Sequence, residues 1–162
     1  MQLLCTVQNP NDLRLTLLNL LPTFKSLYSN YAPNRKCLWL FKEAKLGRNQ
    51  ILPGFEDDRL YQFAQKVYPG CDIGLITYHG MGSNACIAPH RDDRYAQPIA
   101  RLVNLGNCTF GYCNSRIGNK LDRYQLVDGG IYEFNCKHVH SVLSCSQNRF
   151  SIVLWKLRPE FY

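Results

Sequence analysis

The stretch APHRDDRY, residues 88–95, places His90 two positions before Asp92. Side chains at i and i+2 of an extended chain point to the same side, so this imidazole and this carboxylate can grip one object together. A second pair with the same spacing follows in KHVHSV, where His138 and His140 sit two apart. Two histidines and one carboxylate on a common face, with other positions left open, suit a non-haem Fe(II) centre that admits an oxidant and a co-substrate. A structural metal site would close its shell instead. A third clue is QNRFSIVLW, in which Arg149 and Ser151 interrupt an otherwise apolar run at i and i+2. They are expected to share one strand face while Phe150 and Ile152 take the other. An inward guanidinium in a β core is costly unless an anion meets it. A planar guanidinium backed by a hydroxyl is well shaped to hold a carboxylate. The plainer alternative is an arginine that reaches the rim or pairs with a protein acid.

These residues need strands to present them, and the second half of the chain supplies the pattern. From residue 72 onward, short β-rich runs alternate with turn residues: IGLITYH, ACIAPH, IARLVNL, CTFGYC, YQLV, GIYEF, HVHSVL and RFSIVLW. Many short strands without intervening helices predict an antiparallel sandwich or jelly roll. Upstream, Asn11 or Asp12 can cap a helix running to about residue 30, with Pro22 kinking or splitting it. FEDDRLYQFAQKVYP predicts a second helix with an acidic first turn, stopped by Pro69-Gly70. The fold class expected is therefore α+β, mainly β. One domain spans 1–162, with 1–71 as a helical support region packed on one sheet and 72–162 as the β core.

Composition bounds the rest. A chain of 162 residues with 46% hydrophobic and 19% charged residues buries one real core and is not disordered. No apolar run reaches the roughly 18 residues that span a bilayer, and MQLLCTVQNPND lacks a signal peptide's pattern, so the chain reads as soluble and intracellular, cytoplasmic by default. The eight cysteines are scattered without a C-x-x-C pair, which argues for reduced and mostly buried thiols over a zinc site or a disulfide framework. The net charge of +7 attracts anions in general, nucleic acid among them. It is densest in APNRKCLWLFKEAKLGR, residues 32–48, where Trp39 and Phe41 have the chemistry to stack on bases. The preferred reading of that stretch is a buried strand, over about 37–42, with solvated charges around it.

Taken together, the stretches LITYHGMGSNACIAPHRDD, LVNLGNCTFGYC and LVDGGIYEFNCKHVHSVLSCSQNRFSIVLW resemble the Fe(II)/2-oxoglutarate-dependent dioxygenases, nearest in texture to their AlkB-like branch. An H-x-D alone is weak. H-x-D, then H-x-V about 50 residues on, then R-x-S nine residues later is far more specific. The resemblance covers roughly the C-terminal half and implies a double-stranded β-helix with the metal inside. His90, Asp92 and one later histidine would bind Fe(II), and Arg149 with Ser151 would hold the distal carboxylate of 2-oxoglutarate. O2 would be the oxidant. Tyr78 matches a tyrosine that often hydrogen-bonds the co-substrate in relatives, although a core tyrosine is as good a reading.

Strand geometry discriminates between the two later histidines. If HVHSVL and RFSIVLW form a hairpin across SCSQN with residue 142 opposite 149, His140 lies roughly 7 Å along the strand from the level of Arg149 and His138 roughly 13 Å, at about 3.3 Å per residue. A five-carbon diacid that chelates iron at one end spans only the shorter distance, which selects His140. His138 is then a pocket or surface histidine, and His79 a loop residue.

The substrate is less legible. Demethylation of nucleic acid would fit the charge. Against it, the AlkB repair enzymes carry another arginine six residues after the anchoring one, where this chain has Trp155, and an asparagine two before the tyrosine, where it has Ile76. Hydroxylation of an amino acid, a peptide side chain or a small metabolite is the expectation that edges ahead, with a non-enzymatic jelly-roll binding module as the reading from another class. No membrane partner is expected, and oligomeric state is not readable.

Overall fold

Period-two alternation of large apolar residues builds two antiparallel sheets that face each other across one core. In the computed structural model, which describes residues 1–27, 29–32, 35–45, 47–48, 50–80 and 86–162, the elements follow in this order: β1 (Gln2–Thr6), α1 (Pro10–Leu20), β2 (Lys25–Leu27), β3 (Arg35–Leu40), β4 (Lys42–Lys45), β5 (Gln50–Pro53), α2 (Asp58–Val67), β6 (Ile73–His79), β7 (Ile87–His90), β8 (Ala96–Leu105), β9 (Cys108–Tyr112), β10 (Asp122–Leu126), β11 (Gly130–Asn135), β12 (His140–Cys145) and β13 (Arg149–Leu157). The large sheet runs β1-β11-β8-β13-β6-β3-β2 and the small one β10-β9-β12-β7, with β4-β5 as a separate hairpin. The mainly-β architecture read from the sequence, with helices on one sheet face, is the one observed.

The large sheet separates two cores. Its outer face carries Leu38, Leu40, Ile76, Val103, Phe150, Ile152 and Leu154, packed with Leu17 of α1 and with Leu60, Ala64 and Val67 of α2. Its inner face turns Trp39, Leu75, Leu102 and Trp155 toward Phe110, Tyr112 and Val142 of the small sheet. A fully buried aliphatic or aromatic side chain contributes about 1.5–3 kcal/mol, so these two layers are what hold the sheets in place. Gly74 marks a close approach within the outer layer, because a Cβ there would lie 2.9 Å from Leu154 Cδ2 and 3.3 Å from Leu40 Cβ. No disulfide joins any of the eight cysteines, and no helix among the described residues is long and apolar enough to cross a membrane.

Four expectations need correction. The first helix does not reach residue 30: Pro22 falls in a single 3-10 turn after α1, and the chain then extends into β2. Nor is 1–71 mainly helical, since it donates β1, β2 and β3 to the large sheet. β1 is exposed at all five positions and β2 is three residues long, so neither shows an alternation to read. The strand expected at 37–42 breaks at Phe41, whose φ of 65° turns the chain into β4. Finally, β12 and β13 are not a hairpin. β12 pairs with β9 and β7 in the small sheet, β13 with β6 and β8 in the large one, so SCSQN carries the chain from one sheet to the other.

Candidate metal centre

Antiparallel pairing brings the end of β7 against the start of β12 with His90 directly opposite His140. Asp92 follows two residues after β7 in a loop held by its backbone N–H, which donates to the Cys136 carbonyl at 2.9 Å. Ligand atoms of His90, Asp92 and His140 all lie within 4.8 Å of one another, the one such cluster of three among the described residues. Each ring is oriented from behind. His90 Nδ1 donates to the Ala88 carbonyl (2.8 Å) and His140 Nδ1 to the His138 carbonyl (2.9 Å). That tautomer leaves both Nε2 atoms facing Asp92 Oδ1, at 3.7 and 3.3 Å. Phe110 stacks on His140 with ring centroids 5.9 Å apart, and Phe134 meets it edge-on at 5.2 Å. Trp155 Nε1–H donates to the other carboxylate oxygen, Oδ2, at 2.8 Å.

His140, the histidine that the sequence reading chose, is thus the third member of the cluster, but the opposing small-sheet strand puts it there and not the supposed hairpin. His138 is not on a strand. It occupies the turn before β12, where its Nδ1 lies 3.1 Å from the Cys113 carbonyl and 3.3 Å from the Tyr112 hydroxyl. His79 is buried at the end of β6 opposite Arg149, so it is a strand residue and not a loop one.

Burial would raise the Asp92 carboxyl, but the neighbouring His140 and His90 and the Trp155 N–H outweigh it and hold the group at about 2. Burial, reinforced by the charge of His140, lowers His90 to about 4. For His140 burial pulls downward, yet Asp92, by charge and hydrogen bond, leaves it above its ordinary value. Below that raised value a proton sits between His140 and Asp92 in the metal-free protein. That pairing stabilises the fold below the ordinary histidine value of 6.5 and is lost as pH rises through the raised one. Binding of a divalent metal should release one proton from the site. Its affinity should rise about tenfold per pH unit below the His140 value and level off above it. Calorimetry of Mn(II) binding in buffers of different ionisation enthalpy reads the proton count; a count of two would show that His90 is protonated as well.

The triad opens on a cavity of about 700 Å³ between the sheets, lined also by Thr77, Arg149 and Ser151. Arg149 is 1% exposed. Its Nε donates to Asn104 Oδ1 at 2.7 Å, while its Nη1 is buried with no hydrogen-bond partner. Asn104 is itself fully buried and spends its amide hydrogens on the Gly106 and Val127 carbonyls, so its oxygen is fixed where Arg149 needs it. The inward arginine predicted from the alternation of β13 is therefore present, and no acid among the described residues neutralises it. Tyr78 is not brought to this cavity. It lies on the outer face of the large sheet against Phe150, ring centroids 4.9 Å apart, and its hydroxyl donates to Asn148 Oδ1 at 2.5 Å. On β6 the neighbour Thr77 faces inward instead, because alternate residues take alternate faces. Asn104 and the role of Trp155 escaped the sequence reading. A lone asparagine in the apolar run ARLVNL was the available signal for the first.

Comparison with solved structures then places the architecture. OsALKBH1 superposes with a TM-score of 0.70 at 11% identity, covering 94% of this chain and 97% of that one. The fold is that of the 2OG-Fe(II) oxygenases. A prolyl hydroxylase from Trichoplax adhaerens, solved with a hypoxia inducible factor peptide, matches with a TM-score of 0.67 at 14% identity over 96% of this chain and 84% of that one. A 2OG-Fe(II) oxygenase family oxidoreductase from Burkholderia pseudomallei matches with a TM-score of 0.57 at 15% identity, covering 87% and 77%. No family model and no curated protein sequence matches this chain.

The Trp155 indole is the support behind the Asp92 carboxylate. Trp155→Phe keeps an aromatic ring beside Trp39 and Tyr95 but loses the hydrogen bond to Asp92. Such partners are worth about 10–100-fold in metal affinity, and Mn(II) titration of the variant should show a loss in that range. An unchanged affinity would mean that the indole only packs.

Proposed function

We propose that this protein is an Fe(II)- and 2-oxoglutarate-dependent oxygenase that hydroxylates an amino acid, a peptide side chain or a small metabolite. One observation carries the reading: a two-histidine, one-carboxylate cluster shares a cavity with a buried guanidinium whose Nη1 has no partner. The donor set suits Fe(II) with positions to spare, and the unanswered guanidinium suits a carboxylate. Both groups therefore fit the residues present. His90, Asp92 and His140 would hold the metal. Arg149 and Ser151 would hold the distal carboxylate of 2-oxoglutarate.

When bound, Fe(II), 2-oxoglutarate and dioxygen supply the oxidative decarboxylation and the transfer of oxygen. The chain's own part is positional. Carbonyls of Ala88 and His138 fix the two rings, Trp155 fixes the carboxylate, and Asn104 aims the guanidinium. Phe110, Phe134 and Leu102 line the cavity and exclude water around these charges. No side-chain acid or base is required.

A second reading, oxidative demethylation of nucleic acid, draws support from the charge of +7 and from Tyr31, half-exposed and stacked on His90 with ring centroids 5.4 Å apart. The test is a candidate-substrate screen with Fe(II) and 2-oxoglutarate, reading succinate together with product mass. A gain of one oxygen on an amino acid, peptide or metabolite supports the first reading. Loss of a methyl group from methylated oligonucleotides supports the second. Succinate formation that is indifferent to Fe(II) and to His140→Ala would sink both.

A further inference from the structure

The cavity contains unanswered donors besides the one assigned to the co-substrate. Besides Arg149 Nη1, two further buried side-chain nitrogens on its wall lack any hydrogen-bond partner, Arg35 Nε and Trp39 Nε1. Both belong to β3, four residues apart and so on the same face. Trp39 is 8% exposed. Arg35 is the first residue of β3 and lines the same cavity as His90, Asp92 and Tyr95. No described residue forms an ion pair or a side-chain hydrogen bond with it.

The other cations around the cavity are differently placed. Arg91 donates to the Arg116 carbonyl (3.0 Å), Lys137 to the carbonyls of Asp92 and Asp93, and Arg158 to the Ala96 carbonyl (3.3 Å) beside Glu160. Arg94 is exposed. A chain of phosphates running over the surface would need an array of uncommitted cations outside the pocket. What the cavity offers instead is one uncommitted guanidinium on its wall, of a half-buried arginine whose Nε is buried, and a buried donor left without a partner is costly. Segment 29–32 closes over this end, since the Tyr31 carbonyl accepts from the Ala88 N–H at 2.7 Å and the Tyr31 ring covers His90.

We propose that Arg35 is the specificity-determining residue of the substrate site: it receives a carboxylate or phosphate of a small anionic substrate, with the Trp39 indole N–H as a second donor to the same molecule. This rests on the oxygenase reading, because it assigns Arg149 to 2-oxoglutarate and leaves Arg35 for the substrate. The site binds by charge-assisted hydrogen bonds, for which a planar guanidinium is the preferred partner.

The chain's two tryptophans, Trp39 and Trp155, both line this cavity, so intrinsic fluorescence reports its occupation directly. Protein loaded with Mn(II) and saturated with 2-oxoglutarate under anaerobic conditions is titrated with L-glutamate and with O-phosphoserine, which separates carboxylate from phosphate as the preferred group. At least one should bind. Arg35→Met should weaken it tenfold or more and Arg35→Lys less, while 2-oxoglutarate affinity stays within twofold of wild type and so certifies the fold. Arg149→Met should do the reverse. The proposal is overturned if Arg35→Met weakens 2-oxoglutarate as strongly as Arg149→Met, which would make Arg35 a co-substrate anchor. It is overturned equally if neither amino acid binds, or if only a short oligothymidylate binds through Arg35. Failure of the wild-type protein to bind Mn(II) and 2-oxoglutarate at all is a separate result, which removes the oxygenase reading and this proposal with it.

Discussion

Asp92→Ala should lower divalent-metal affinity by more than about a hundredfold, since even the partners that sit behind metal ligands are worth about 10–100-fold. Asp92 is the only anionic member of the cluster. Without it, a dication would face two imidazoles on neighbouring strands, with ring centroids 4.4 Å apart and nothing to offset its charge. The variant also strips His140 of the partner that raises its pKa, so His140 should titrate below its ordinary value and its protonation should compete with metal only at lower pH than in the wild type. Mn(II) titration followed by electron paramagnetic resonance reads the affinity, and NMR of the imidazole resonances reads the titration. Retention of wild-type affinity would show that the carboxylate is not a ligand, and the metal centre would have to be abandoned.

Arg149→Met is the counterpart at the other group. Two charge-assisted hydrogen bonds to a carboxylate, at about 1.5–3 kcal/mol each, amount to about 3–6 kcal/mol, or about two to four powers of ten in 2-oxoglutarate affinity. In the wild-type metalloprotein, 2-oxoglutarate at about a hundred times its dissociation constant should stabilise the fold by about 2.7 kcal/mol, and the thermal midpoint should rise accordingly. That rise should vanish in Arg149→Met. The metal-free variant itself should change little in stability. Methionine fills comparable space, and removal of a buried guanidinium that has no acid partner offsets the loss of its bond to Asn104. A ligand-induced midpoint rise of wild-type size in the variant would exclude Arg149 as the anchor.

Both experiments probe residues that are legible in the sequence, and the reason is local. The faces of β13 follow from a period of two, so Arg149 and Ser151 had to share a side opposite Phe150 and Ile152 once the strand was recognised. The same rule gave Tyr78 and Thr77 opposite faces, and the tyrosine was assigned to the wrong one because only its resemblance to a motif spoke for it. The weakly patterned N-terminal strands were illegible for a different reason. β1 is solvent-exposed throughout and β2 is short, so what makes them strands is the edge they pair with, β11 for one and β3 for the other.

The amino-acid order alone therefore determined which side chains are candidates, His90 and Asp92, the pair His138 and His140, and Arg149 with Ser151, and that a β scaffold presents them. Residue type and i, i+2 spacing are properties of a single strand and need no partner to be read. Only the tertiary structure decided how they meet. His140 reaches Asp92 because β12 joins the small sheet opposite β7, and Arg149 is aimed by an asparagine 45 positions away in sequence. Trp155 became the carboxylate's support, and Arg35 was left facing the cavity with its charge unanswered. Those outcomes depend on contacts between strands far apart in the chain, and no local period encodes which strand will lie across from which.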